Sequence, residues 1–204
     1  MRLFLASLIC LSLLSGCAGQ YVWAPDEVVE RVKYRAPGAP SLTLFTMVNN
    51  ETGKGGHSAL MVNGSQRVIF DPAGTVRHDA LVERNDVLYG VNPQILDFYT
   101  RAHARKTHHV MIQTVEVSPA VAEQALNLAI NNGPVFSALC ANSTSQLLRK
   151  LPGFETISVT FGPISLMEDF RDISGVSEEA LFEYDDADKS KALRAYDPSL
   201  VNLQ

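Results

Sequence analysis

Residues 56–74 read GHSALMVNGSQRVIFDPAG. His57-Ser58-Ala59-Leu60-Met61-Val62 has the apolar weight of a strand. Asn63-Gly64 is a strong hairpin signal, and Arg67-Val68-Ile69-Phe70-Asp71 returns as the partner strand. Pro72-Ala73-Gly74 closes it. The length of the loop decides which side chains meet. A loop of Asn63-Gly64-Ser65 sets Val62 against Gln66 and His57 directly against Asp71, with both side chains on one face. A loop of Asn63-Gly64 alone sets His57 against Phe70 and turns Asp71 to the other face. The Asn-Gly pair favours the shorter loop, and a polar residue at 71 favours the longer one.

The neighbouring segments fix the fold class. Upstream, Ser41-Leu42-Thr43-Leu44-Phe45-Thr46-Met47-Val48 reads as another strand, joined to His57 by the turn-rich NNETGKGG of residues 49–56. Downstream, residues 75–106 are mixed. The spacing of Ile95, Leu96, Phe98, Tyr99 and Ala102 predicts a helix over Pro93 to Arg105. His108 to Val117 alternates like a strand. Ser118 is placed to cap a helix, Pro119 to open it, and Asn131-Asn132-Gly133-Pro134 to stop it. A last helix is expected to begin near Cys140, with Thr144, Leu147, Leu148 and Leu151 on one face and Pro152-Gly153 at its end. The apolar VFSAL at 135–139 suits a lipid groove or a core strand. Strands, helix, strand, helix, helix is an α+β order, not that of a wound parallel sheet.

The N-terminus sets the compartment. Met1-Arg2 is a short positive start, and Leu3 to Leu14 is an apolar run too short for a stable membrane span. It ends in LSGC at residues 14–17. That pattern resembles the bacterial lipobox, which implies diacylglycerol on the Cys17 sulfur, cleavage before Cys17 and acylation of the new terminus. Ala18 in place of Asp implies sorting to the outer membrane, facing the periplasm. Several acyl chains would anchor the chain stably. Residues 17–40 are expected to be the lipidated terminus and a tether, with a helical turn or two in Asp26 to Val32. Residues 41–170 are expected to form one domain, and 171–204 a polar tail. The net charge of −5 suits a soluble domain and argues against a nucleic-acid partner.

Of three cysteines, Cys10 leaves with the signal and Cys17 takes the lipid, so Cys140 is the one free thiol of the mature chain. It is either an inert core residue or a working one. At a helix N-terminus, free N–H groups and the helix dipole stabilise a thiolate and offer donors to an oxyanion. His57 could take the thiol proton and return it to a leaving group. Asp71 could orient that imidazole and stabilise its cation.

GHSALMV, a turn, VIFDPAG and a later SALCANSTSQLL resemble the permuted NlpC-type papain-like superfamily, which includes lecithin:retinol acyltransferase-like proteins. The likeness covers residues of roughly 41–151. It implies a permuted papain-like fold, with an antiparallel sheet packed on helices and the cysteine helix C-terminal to the hairpin. It also implies Cys140 as nucleophile, His57 as base and Asp71 as the orienting residue, where relatives often carry His, Asn or Gln. The implied function is an envelope-anchored cysteine hydrolase or acyltransferase. It would act through a thioester on an amide or ester of cell-wall peptide or lipid, with no cofactor and with the membrane as partner through the anchor. The alternative is a catalytically inactive lipoprotein that binds or scaffolds in the envelope.

The other histidines carry weaker expectations. His108 and His109 on a strand point to opposite faces, which argues against a metal site. With Arg101, Arg105 and Lys106, the cluster of His103, His108 and His109 reads as a solvated basic edge able to touch anionic headgroups or substrate. His78 ranks behind His57 as a partner for Cys140.

Overall fold

The computed structural model describes residues 22–183. The lipobox with Cys17, and residues 184–204 of the expected tail, lie outside the described residues. The elements are α1 (Asp26–Val32), β1 (Ser41–Asn49), β2 (Gly55–Asn63), β3 (Arg67–Phe70), β4 (Val82–Arg84), β5 (Val87–Tyr89), α2 (Pro93–His103), β6 (His108–Glu116), α3 (Pro119–Ile130), α4 (Cys140–Leu148), α5 (Pro163–Arg171) and β7 (Ser177–Leu181). The fold is α+β. Seven strands form one antiparallel sheet in the order β4-β5-β3-β2-β1-β6-β7.

Helices cover both faces of this sheet, which explains why the central strands read as nearly unbroken apolar runs. Leu42 and Leu44 of β1 and Leu60 and Val62 of β2 pack with Leu126 of α3, Leu147 of α4 and Leu166 of α5. Phe45 and Met47, Ala59 and Met61 face the other way, onto Ile95 and Tyr99 of α2. The segment expected to be a tether carries α1, whose Val29 and Val32 join the first of these cores. Part of the expected tail is ordered too: β7 pairs with β6 along Val110 to Thr114. The VFSAL segment is not a core strand. It is loop, with Phe136 53% exposed.

The hairpin register differs from both sequence-based alternatives. Asn63 pairs with Arg67 and Leu60 with Phe70, so the loop is Gly64-Ser65-Gln66. Glu123 at the start of α3 accounts for it. Its carboxylate accepts the Ser65 N–H at 2.5 Å and the Ser65 hydroxyl at 3.0 Å, drawing the loop onto the helix. Direct opposition of His57 and Asp71 is therefore corrected by two residues. Because side chains alternate with period two, Asp71 still lies on the His57 side of the sheet.

Two irregularities shape the end of β2. Val48 pairs with Gly55 and Met47 with His57, so Gly56 is an extra residue in a bulge just before His57. β3 pairing stops at Leu60, which leaves the stretch of β2 from Gly55 to Ala59 unpaired on that side. The N-terminus of α4 enters there.

Gly90 links α1 to the sheet. Its φ is +68°, and a Cβ would stand 2.7 Å from the Val32 carbonyl oxygen. Gly90→Ala should therefore cost roughly 1–3 kcal/mol, a fall in Tm of about 2–4 °C per kcal/mol. A melting curve unchanged from wild type would show that α1 does not pack as described.

Candidate active site

The loop before α4 turns sharply. Gly133 and Ala138 have φ of 75° and 67°, and the Leu139 N–H returns to the Phe136 carbonyl at 3.2 Å. Leu139 occupies the N-cap position but offers no side-chain acceptor. The first N–H groups of α4 are thus not consumed by a cap. Cys140 is the first residue of the helix, and its sulfur is hydrogen-bonded by the backbone N–H groups of Ala141 and Ser58 and by the His57 ring. Burial pushes the thiol pKa up, but these donors and the charge of His57 outweigh it and bring it below its ordinary value.

His57 Nε2–H donates to Asp71 Oδ1 at 2.6 Å. With Nε2 so committed, Nδ1 is the nitrogen left to face the thiol. Tyr99 of α2 donates its hydroxyl to the same Asp71 oxygen at 2.8 Å. Burial and the Asp71 charge hold the Tyr99 hydroxyl well above its ordinary pKa, so it stays a donor. Burial opposes charge on His57, yet the Asp71 carboxylate and the bond to it hold the ring up at about 10. Burial likewise opposes charge on Asp71, and His57, His103 and Tyr99 overcome it, holding the carboxyl at about 2. At neutral pH the site therefore holds an imidazolium between a carboxylate and a sulfur.

Sequence reading missed Tyr99 as a polar partner and misplaced His103. The 93–103 helix was legible, and Tyr99 stood on its apolar face, but its use of the hydroxyl depends on where the sheet lies. His103 is not part of a solvated edge. It is 3% exposed, donates from Nδ1 to the Tyr99 carbonyl at 2.8 Å and stacks over His57 with ring centroids 6.1 Å apart. The i, i+4 spacing of Tyr99 and His103 was the available signal. The rest of the supposed basic edge is dispersed as well. Arg105 is 3% exposed, and Arg101 pairs with Asp97 and Glu183. His109 donates to Asn50 Oδ1 at 2.7 Å and stacks on Phe182. His78 packs on Phe98 and accepts the Ala80 N–H at 3.1 Å.

Cys140 itself is 7% exposed, so approach to the sulfur is narrow. A shallow groove of about 240 Å³ opens beside its turn, lined by Phe136, Leu139, Asn142, Ser143 and Gln146 among others. Among the described residues, no group of three or more His, Cys, Asp or Glu is placed to hold a metal ion, and no helix is long and apolar enough to cross a membrane. Comparison of the chain with protein-family models, with curated proteins and with solved structures finds no match.

The pair has a pH signature. His57 is held above its ordinary 6.5, so its contribution to stability is complete below that value and is lost as pH rises toward about 10. Asp71 is held below its ordinary 3.8, so its contribution is complete above that value and is lost as pH falls toward about 2. Asp71→Asn should therefore destabilise most between 3.8 and 6.5, and the gap to wild type should narrow toward alkaline pH. Thermal melts of both proteins across that range check it. A gap independent of pH would show that the two groups do not form a charged pair.

Proposed function

We propose that this protein is a thiol-dependent hydrolase or acyltransferase, with a permuted papain-like arrangement and a lipid anchor at Cys17 that holds it in the bacterial envelope. The observation that carries the reading is the continuous chain Cys140–His57–Asp71 at an uncapped helix N-terminus. The α+β order, with the hairpin first and the cysteine helix after it, supports the permuted arrangement. The LSGC at residues 14–17 supports the anchor.

On this reading the Cys140 thiolate attacks the carbonyl carbon of an amide or ester. The carbonyl π pair moves to oxygen, and N–H groups at the head of α4 receive the oxyanion. The imidazolium of His57 gives its Nδ1 proton to the departing nitrogen or oxygen, which leaves an acyl thioester on Cys140 and a neutral ring. Water or an acceptor hydroxyl or amine then adds to the thioester and gives a proton back to His57. The thiolate departs and the acyl group leaves as an acid or on the acceptor. Asp71 keeps Nε2 protonated throughout and stabilises the cationic ring at both ends of the cycle.

The competing reading is a lipoprotein that binds or scaffolds and catalyses nothing. The 7% exposure of Cys140 favours it. Alkylation by iodoacetamide separates the two, measured from about pH 4 to 10 on the full chain with Cys10→Ala and Cys17→Ala, so that Cys140 is the one thiol. An activated site reacts with a midpoint well below the free-thiol value of about 8.5. His57→Ala should return the midpoint to about that value and slow the reaction at neutral pH by roughly tenfold or more while the fold is kept. Wild-type reactivity in a folded His57→Ala protein would sink the pair. A thiol silent until unfolding would mark Cys140 as structural and sink the catalytic reading.

A further inference from the structure

Asp86 ends the two-residue turn between β4 and β5, after Asn85 in the left-handed region at φ 52°. Its carbonyl accepts the Asp71 N–H at 2.7 Å, which continues the β3–β5 ladder one rung beyond Phe70 and Val87. Asp71 and Asp86 are thus cross-strand neighbours on one face of the sheet. Both are buried, at 3% and 6% exposure. Two carboxylates in that relation repel, and stability alone would favour a neutral side chain at one of them.

The carboxylate of Asp86 is nevertheless fully engaged. Oδ1 accepts the Ala73 N–H at 3.3 Å, and Oδ2 accepts the Val135 N–H at 2.6 Å. Ala73, with φ 58°, is the tight residue of the Asp71-Pro72-Ala73-Gly74 turn, closed by the Gly74 N–H on the Asp71 carbonyl at 2.9 Å. Val135 stands in the loop that leads into Cys140. One side chain therefore ties the segment bearing Asp71 to the segment bearing the thiol, two parts of the chain far apart in sequence. The other charged groups around it are Asp71, Arg77 and buried Glu83, and Arg77 also pairs with Glu83 at 3.4 Å.

We propose that Asp86 is a positioning residue, whose two carboxylate oxygens lock the Asp71 turn to the loop preceding α4 and so set the alignment of Cys140, His57 and Asp71. The inference rests on the thiol-catalytic reading. It assigns the like-charge contact a purpose: Asp86 has an acceptor for each of two backbone donors, which a neutral amide cannot supply. Asp86→Asn keeps the shape and relieves the repulsion, but it turns an NH₂ toward one of the N–H groups. Stability and alignment should therefore part company in that variant.

The test is the alkylation profile of the full chain with Cys10→Ala and Cys17→Ala, carrying Asp86, Asp86→Asn or Asp86→Ala, with Tm measured on each. In Asp86→Asn the reaction midpoint should rise by about one pH unit or more toward the free-thiol value, and the rate at neutral pH should fall about tenfold or more, with Tm near that of the parent. Asp86→Ala should show the same kinetic change with a lower Tm. A folded Asp86→Asn protein with the parent's midpoint and rate overturns the proposal. Loss of the fold in both variants overturns it too, since Asp86 would then serve stability. A parent thiol that reacts only near about 8.5 instead overturns the catalytic reading on which the proposal stands.

Discussion

Asp71 places a full negative charge 3% exposed against the sheet, and the rest of the site follows from how that charge is tolerated. A buried carboxylate without partners would take up a proton. Here one oxygen receives both the His57 ring and the Tyr99 hydroxyl. The backbone is bent to present it. Pro72 and Ala73 turn the chain away as soon as β3 ends, and a Cβ at Gly74 would stand 1.9 Å from Asp71 Oδ2. Glycine at 74 is therefore demanded by the carboxylate itself.

The charge is then handed outward. Asp71 keeps His57 protonated, and charged His57 with two backbone N–H groups brings the Cys140 thiol pKa below its ordinary value against the effect of burial. Each link gives up something a purely stabilising design would keep. β2 runs on without a β3 partner, and its Ser58 N–H goes to sulfur instead of a strand. α4 begins without a side-chain cap, and Ala138 sits in the left-handed region just before it. Asp86 faces Asp71 across a strand pair. Departures from local rules that cluster around one group of side chains are what the proposed active site would leave in a fold.

Much of this was legible in the sequence, and the reasons are local. His57 lies on a strand and Asp71 directly follows one, and their apolar patterns identify both strands; whether the two side chains share a face turned on the loop length, which the sequence left open. Cys140 stands between loop chemistry and a helical pattern, and the helix does begin at that residue. Ser118 and Pro119 mark the start of α3 to the residue. The remainder depends on contacts between distant segments. The hairpin loop is set by Glu123, 58 positions from Ser65. β4 and β5 span three residues each, too short for any periodic signal. Tyr99 and His103 look like a core aromatic and a surface histidine until the helix is laid beneath β2. Asp86 in an Asn-Asp turn has an adequate local explanation, and nothing nearby in sequence points to Val135.

The near burial of Cys140 bears on what the proposed reaction can accept. A thiolate there is stabilised by fixed donors, not by water, and so loses little solvation when a substrate closes over it. The same burial excludes bulky groups at the carbonyl, since the ring of His57 and the N–H of Ser58 already occupy two sides of the sulfur. The groove along α4 takes Leu139, Asn142, Ser143 and Gln146 from one face of the helix, whereas Cys140 lies on its buried face with Thr144 and Leu148. On the proposed reading, a substrate must therefore bring its carbonyl to the sulfur on a slender chain, since Cys140 is 7% exposed.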